Sequence, residues 1–203
     1  MAIAKIYIIS DTHFGHKNIL RYRTHERFPE FVGAEMTPQE HDQKLEERIL
    51  ETVNRKDTLW MLGDSFFSMD SLDVLRRIRA RVARLNLVLG NHCFQNCPAG
   101  EGLATVFREN LADRIEGMVK LKISGGGKFA AAWLTHTPMH PTEIFKGNVN
   151  IHGHTHAKVI DDPLYFNANC ENLDFRPVEL SRISQGYRGE LIKRGWVRHA
   201  ACE

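Results

Sequence analysis

Apolar and polar positions alternate over an isoleucine-rich stretch from Ile3 to Ile9, which predicts a buried strand that ends at Ser10 and gives way to the polar loop DTHFGHKN. Thr37-Pro38-Gln39-Glu40 has the form of a capping box with proline at the first helical position. Leu45, Ile49 and Val53 then recur at helical spacing, so a helix is expected over about 37–54. The run DTLWML predicts a short strand stopping at Gly63-Asp64. Asp70-Ser71 opens a second helix carrying Leu72, Leu75 and Ile78, and RLNLVLGNH predicts a further strand that ends in the loop Gly90-Asn91-His92. Strand, loop and helix alternate through this half, which argues for a βαβ arrangement with its loops gathered at one edge of a sheet.

The second half changes period. VKLKIS and KFAAAWLTH flank Gly125-Gly126-Gly127 and read as a hairpin, with Val119, Leu121 and Ile123 on one face. Strands are expected at NVNIH, AKVI and PLYFNAN, and a closing helix from Ser181 to Arg198, weakened at its start by Gly186 and Gly189.

Composition narrows the setting. A length of 203 residues at 42% hydrophobic suits one compact domain over 1–203. The opening MAIAKIYIIS is too short in apolar residues for a signal-peptide core, and no run approaches the roughly 18–20 apolar residues of a spanning helix. A cytoplasmic protein with no membrane partner is expected. A net charge of +2 tolerates a phosphate-bearing ligand without marking a dedicated nucleic-acid binder. Cys93, Cys97, Cys170 and Cys202 make no disulfide framework in a reducing compartment, and Cys93 and Cys97 lack the second pair that a zinc knuckle needs. The arginines at 76, 77, 79, 81 and 84 read as a solvated face. The unusual count is 11 histidines, crowded into short polar stretches.

Those stretches carry the chemistry. Asp11-Thr12-His13 puts a carboxylate and an imidazole two positions apart at a strand end, where alternate residues share a side; alone it could equally be a turn with a surface histidine. Asp64 after Gly63 alone could cap a turn. In Gly90-Asn91-His92 the asparagine offers a carbonyl oxygen to a divalent ion and leaves the histidine free for proton chemistry. His136 ends an apolar strand. His152-Gly153-His154-Thr155-His156 is the strongest local feature, because three alternating histidines desolvate badly unless some of them bind a metal; an exposed polar loop is the alternative for the segment taken alone.

Taken in order, Asp-x-His, Gly-Asp, Gly-Asn-His, a strand-terminal His and Gly-His-x-His, the chain resembles the calcineurin-like metallophosphoesterase superfamily over most of its length, in its small stand-alone bacterial and phage form. The resemblance implies an α/β fold, a four-layer α/β/β/α sandwich with the metal site at the strand ends. It implies that Asp11, His13 and His156 bind one divalent ion, that Asn91, His136 and His154 bind a second, and that Asp64 bridges them. His92 would be the catalytic histidine, and Asn91 and His92 would meet the substrate phosphate. The implied reaction is hydrolysis of a phosphate ester by in-line attack of a hydroxide held between the ions. Manganese heads the candidate metals, with iron, zinc and nickel compatible. Phosphodiesters or nucleotides are favoured over phosphomonoesters or phosphoproteins, because no large cap domain is visible. One departure stands out: the family follows Gly-Asn-His with an acidic residue that orients the histidine, and here Cys93 takes that place. Another carboxylate or a backbone carbonyl is expected to substitute. His16, His140 and His152, together with Asn18 and Arg21, lie close enough in sequence to line the pocket.

A metallo-β-lactamase-like site is disfavoured because Ala157 and Lys158 follow His156, and an amidohydrolase because Asp11 stands where His-x-His would begin. A non-catalytic metal-binding scaffold is the rival of another class. Oligomeric state is unreadable from the sequence.

Overall fold

The structure is a computed structural model that describes residues 3–123, 127–145 and 147–185. Strands β1 (Ile6–Ile9), β2 (Thr58–Leu62), β3 (Arg84–Val88) and β4 (Arg114–Glu116) alternate with helices α1 (Pro38–Thr52), α2 (Leu72–Arg81) and α3 (Glu101–Arg108). There follow β5 (Met118–Lys122), β6 (Ala131–Thr135), β7 (Asn148–His152), β8 (Tyr165–Asn167), β9 (Val178–Glu179) and α4 (Leu180–Ser184). The first sheet has the order β4-β3-β2-β1-β9, parallel except for β9. The second has the order β5-β6-β7-β8, parallel except for β5.

The period-two alternation of the strands divides their side chains between two cores. Ile9, Leu59, Met61, Leu85 and Leu87 face Leu45 and Ile49 of α1, Leu75 and Ile78 of α2, and Val106 of α3. Ile8, Trp60, Leu62 and Val88 face Ala132, Leu134, Val149, Ile151 and Phe166 of the second sheet, and Leu180 and Ile183 of α4 join them. The result is an α/β sandwich, two sheets face to face with helices outside the first. Val119, Leu121 and Ile123 pack on the inter-sheet core as the alternation predicts.

Helix α1 starts where the capping box puts it. Glu40 N–H donates to Thr37 Oγ1 at 3.2 Å, and Thr37 N–H donates to Glu40 Oε2 at 2.7 Å. Leu45 is fully buried, so Leu45→Ala would cost about 2–5 kcal/mol.

Several expectations change. The first strand begins at Ile6, not Ile3, because its first rung pairs Ile6 with Thr58, and Ile3 is exposed. No extended strand forms at AKVI, where Val159 alone makes an isolated bridge: the Asn167 amide donates to the carbonyls of His156 and Lys158, at 2.8 and 2.9 Å, and holds the start of that segment in a turn. The short α3, β4 and β9 carry too little periodicity to have been anticipated. The expected closing helix is seen through Ser184, and its remainder, like Gly125 and Gly126 of the hairpin turn, lies outside the described residues. The arginine run is the solvated face expected, with Arg76, Arg77, Arg81 and Arg84 exposed, and three of its members also form ion pairs: Arg76 with Glu109, Arg77 with Glu46 and Arg79 with Asp113.

Candidate metal centre

The parallel strands end at one edge of the sandwich, and the motif loops follow them. Asp11 and His13 come after β1, Asp64 after β2, Asn91 and His92 after β3, His136 after β6, and His154 and His156 after β7. Backbone bonds stitch these ends together across both sheets. Asp11 N–H reaches Gly63 O at 3.1 Å, His13 N–H reaches Asp64 O at 3.0 Å, and Gly153 N–H reaches His136 O at 2.9 Å.

Asp11 and His13 do not reach one side by strand alternation. Both have left-handed backbone, with φ of 56° and 55°, and so do Asp64 (45°), His154 (66°) and His156 (50°). Non-glycine residues seldom adopt this region, which stores about 1–3 kcal/mol at each position and is held only where the surroundings over-determine it. Two glycines make room for the crowding. A methyl group on Gly63 (φ 86°) would overlap the His136 ring, and one on Gly153 would overlap Ser10 Oγ and Asp11 Oδ2.

Two groups of ligand-type atoms result, each within 4.8 Å: Asp11, His13 and His156, and Asp64, His136 and His154. In the first, Asp11 Oδ1 and both ring nitrogens of His13 are buried without a hydrogen-bond partner. Such unpartnered polar atoms are costly to bury, and a cation would satisfy the carboxylate oxygen and one of the two ring nitrogens. In the second, His136 Nε2 stands 3.2 Å from Asp64 Oδ2 and 2.9 Å from Asn91 Oδ1. Atoms that share one ion at about 2.0–2.2 Å are about 3 Å apart, so these three residues also fit a cation. Asp11 Oδ2 links the groups by accepting from His154 N–H at 3.0 Å and from Ser10 Oγ at 2.5 Å.

The acceptors fix the tautomers. His136 Nδ1 donates to Leu62 O at 2.9 Å and His156 Nδ1 donates to Glu171 Oε1 at 3.3 Å, so in both rings Nε2 is the nitrogen left for a ligand. Burial pushes the Asp11 carboxyl up, an effect that His136 and Ser10 only partly offset. Burial, and then the charge of Arg23, pushes the His13 pKa far below that of an ordinary histidine, and a neutral imidazole is the form that binds metal. Burial opposes protonation of His136, but Asp64 and Asp11 outweigh it and the His136 pKa rises. A cation would take the place of that proton.

His92 lies beside the second group. Its N–H donates to Asp64 Oδ1 at 2.7 Å, and its Nδ1 donates to Gln95 Oε1 at 2.5 Å. The orienting partner is therefore a carboxamide three residues on, not the carboxylate or backbone carbonyl expected. Cys93 is half-buried, with Sγ accepting Gly90 N–H at 3.1 Å, and burial pushes its thiol pKa up. It supports the loop rather than the histidine.

A cleft of about 520 Å³ opens over the first group, lined among others by His16, Tyr22, Arg27, Phe67, His92 and Glu171. Its aromatic rings are in mutual contact, with Phe67 4.6 Å from His16 and 5.8 Å from His92. Of the sequence candidates, His16 lines the cleft. His140 is exposed and bonded to Thr142, and His152 is buried against Tyr165. Asn18 and Arg21 are exposed and do not line the cleft, whereas Tyr22 and Arg27 do. Phe67, Gln95, Arg23 and Glu171 escaped sequence reasoning; only the three-residue step from His92 to Gln95 held a hint.

Among the described residues Cys93, Cys97 and Cys170 are free thiols, and no helix is long and apolar enough to cross a membrane.

The comparisons with known proteins agree with this geometry. The chain is similar to an uncharacterized protein, MJ1445, of Methanocaldococcus jannaschii, 29% identical over 97% of this chain and 96% of that protein. It is similar to the gene 66 protein of Mycobacterium phage D29, 27% identical over 78% of this chain and 81% of that protein. The crystal structure of the protein of unknown function AQ665 from Aquifex aeolicus superposes with a TM-score of 0.61 at 25% identity, covering 95% of this chain and 100% of the other. The model of the calcineurin-like phosphoesterase superfamily domain matches residues 4–168. That span carries every motif loop gathered at the sandwich edge, and the chain belongs to the calcineurin-like phosphoesterase superfamily of metal-dependent phosphoester hydrolases.

Proposed function

We propose that residues 1–203 act as a single cytoplasmic metallophosphoesterase domain that holds two divalent cations and hydrolyses phosphodiesters, nucleotides foremost. The observation that carries this reading is the pair of ligand-type clusters at one edge of the sandwich, with a cleft open over the first and His92 in the wall of that cleft, bonded to Asp64 of the second. Asp11, His13 and His156 would hold one ion, and His136, His154 and Asn91 the other, with Asp64 shared between them. Cations bound there would neutralise phosphate oxygens and acidify a water molecule. Carboxylate, carboxamide and imidazole donors together suit manganese first, with iron, zinc or nickel as alternatives.

The chain's own residues do the remaining work. Gln95 holds the Nδ1–H of His92, so Nε2 is the nitrogen that gives a hydrogen bond or proton to the departing oxygen. Asn91 and His92 meet the phosphate. The exposed Tyr22 would offer its ring to a planar substituent such as a nucleobase, and the buried Phe67 backs the rings of His16 and His92. Among the described residues Arg27 is the one lysine or arginine lining the cleft, which suits the single charge of a diester better than the double charge of a monoester. The free thiols suit a reducing compartment.

The test is turnover by the manganese-loaded chain of bis(p-nitrophenyl) phosphate against p-nitrophenyl phosphate, followed by cyclic nucleotides, dinucleotides and oligonucleotides. Faster diester turnover that collapses in His92→Ala is expected. Turnover of monoesters alone would make the chain a phosphomonoesterase or protein phosphatase. No turnover by a metal-loaded wild type would make it a scaffold.

A further inference from the structure

The largest fully buried side chain among the described residues is charged: Arg23, with 0% exposure. Its five N–H groups meet five acceptors. Nε donates to Glu171 Oε1 at 3.1 Å, NH1 donates to Thr12 O and His41 Nε2, and NH2 donates to Asp11 O and Cys170 Sγ. Glu171 is also buried, and the oxygen that takes Arg23 Nε also accepts His156 Nδ1–H. One guanidinium thus grips the left-handed backbone at Asp11 and the carboxylate that holds His156.

A buried ion pair is a poor source of stability, because well-packed apolar residues of similar volume commonly do as well. Its value here lies in what it touches. In the second cluster the corresponding contact is to a neutral group, with His136 Nδ1 resting on the Leu62 carbonyl. Glu171 also falls beyond residue 168, where the match to the family model ends.

We propose that Arg23 and Glu171 are a positioning pair for the first cluster. Glu171 fixes the tautomer and rotation of His156 so that Nε2 faces the group shared with Asp11 and His13, and Arg23 locks Glu171 to the Asp11 loop. The proposal rests on the metal-binding reading of that cluster. Carboxylates that hold a ligating histidine in this way typically change metal affinity about 10–100-fold.

The experiment is a manganese titration of the metal-free chain, read by equilibrium dialysis and by electron paramagnetic resonance, which separates a coupled ion pair from a single ion. Wild type is expected to bind two ions. The double variant Arg23→Met with Glu171→Leu leaves no unpaired buried charge; it should retain one ion at wild-type affinity, bind the other about 10–100-fold more weakly, and lose the coupled signal at limiting manganese. Glu171→Gln keeps the shape and the acceptor, folds more readily, and should weaken the same single site by less. Two ions bound as in wild type would overturn the proposal. So would parallel weakening of both sites together with a lowered melting temperature, which marks a purely structural role. A wild type that binds no manganese would overturn the metal reading beneath it, and that result needs no variant to be seen.

Discussion

Gln95 Oε1 lies 2.5 Å from Nδ1 of His92 and accepts its hydrogen bond, which fixes the tautomer and rotation of the ring. A carboxamide orients the ring without adding charge. Gln95→Ala should therefore lower kcat about 10-fold with bound manganese unchanged, and Gln95→Glu should retain activity. His92→Ala should lose about 10²–10⁴-fold, more with an alkyl leaving group than with an aryl one, because the poorer leaving group needs the proton more. Turnover of paired alkyl and aryl diesters with metal analysis checks this. If Cys93→Asp instead raised turnover many-fold at constant metal content, the native histidine would be poorly held and the role given to Gln95 would be wrong.

Gly153→Ala tests the packing of the site. The added methyl group has to displace Ser10 Oγ and the Asp11 carboxylate. A loss of about 1–3 kcal/mol in unfolding free energy is expected, together with weaker metal uptake. Urea denaturation with and without manganese measures both. An unchanged midpoint in both conditions would show that the loop relaxes at no cost.

Chelation should lower the melting temperature in a way that depends on the free metal concentration. Each ion that binds only the folded chain adds about 2.7 kcal/mol at a free concentration 100 times its dissociation constant. Bound ions would also offset the left-handed strain at Asp11, His13, Asp64, His154 and His156. Calorimetry across a manganese series is the check, and a melting temperature indifferent to manganese would speak against occupancy of either cluster.

The buried His152 sets a pH dependence. Burial pushes its pKa from 6.5 down to about 4, with His136 and His154 adding to the effect. Between those values the unfolded chain takes up a proton that the folded chain refuses. The stability contributed by His152 is therefore complete above pH 6.5 and is lost as the pH falls to about 4, by at most about 3 kcal/mol. His13 acts in the same sense, whereas the raised His136 and His156 lose their contribution as the pH rises through their folded values. The difference between wild type and His152→Leu isolates the one residue. Metal-free melting curves should converge as the pH is lowered, and parallel curves between pH 7 and pH 5 would refute the assignment.

The sequence by itself determined the strands that bury both faces, the capped start of α1 and the order of the metal-type motifs, since each rests on local periodicity or on residues a few positions apart. The loops after β1, β2, β3, β6 and β7 could be named, and the clustered histidines of the last one singled out. Tertiary structure alone decided which atoms meet. Glu171 and His156 are 15 residues apart, and Arg23 and Glu171 148, distances over which no periodicity operates. It also decided that AKVI is reduced to a single bridge at Val159, because the Asn167 side chain takes the Lys158 carbonyl, and that Ile3 lies outside the first strand, because β2 provides no rung for it. Local pattern specifies the elements and the donor types. The left-handed backbone that points those donors at one another comes from strand ends packed edge to edge across two sheets.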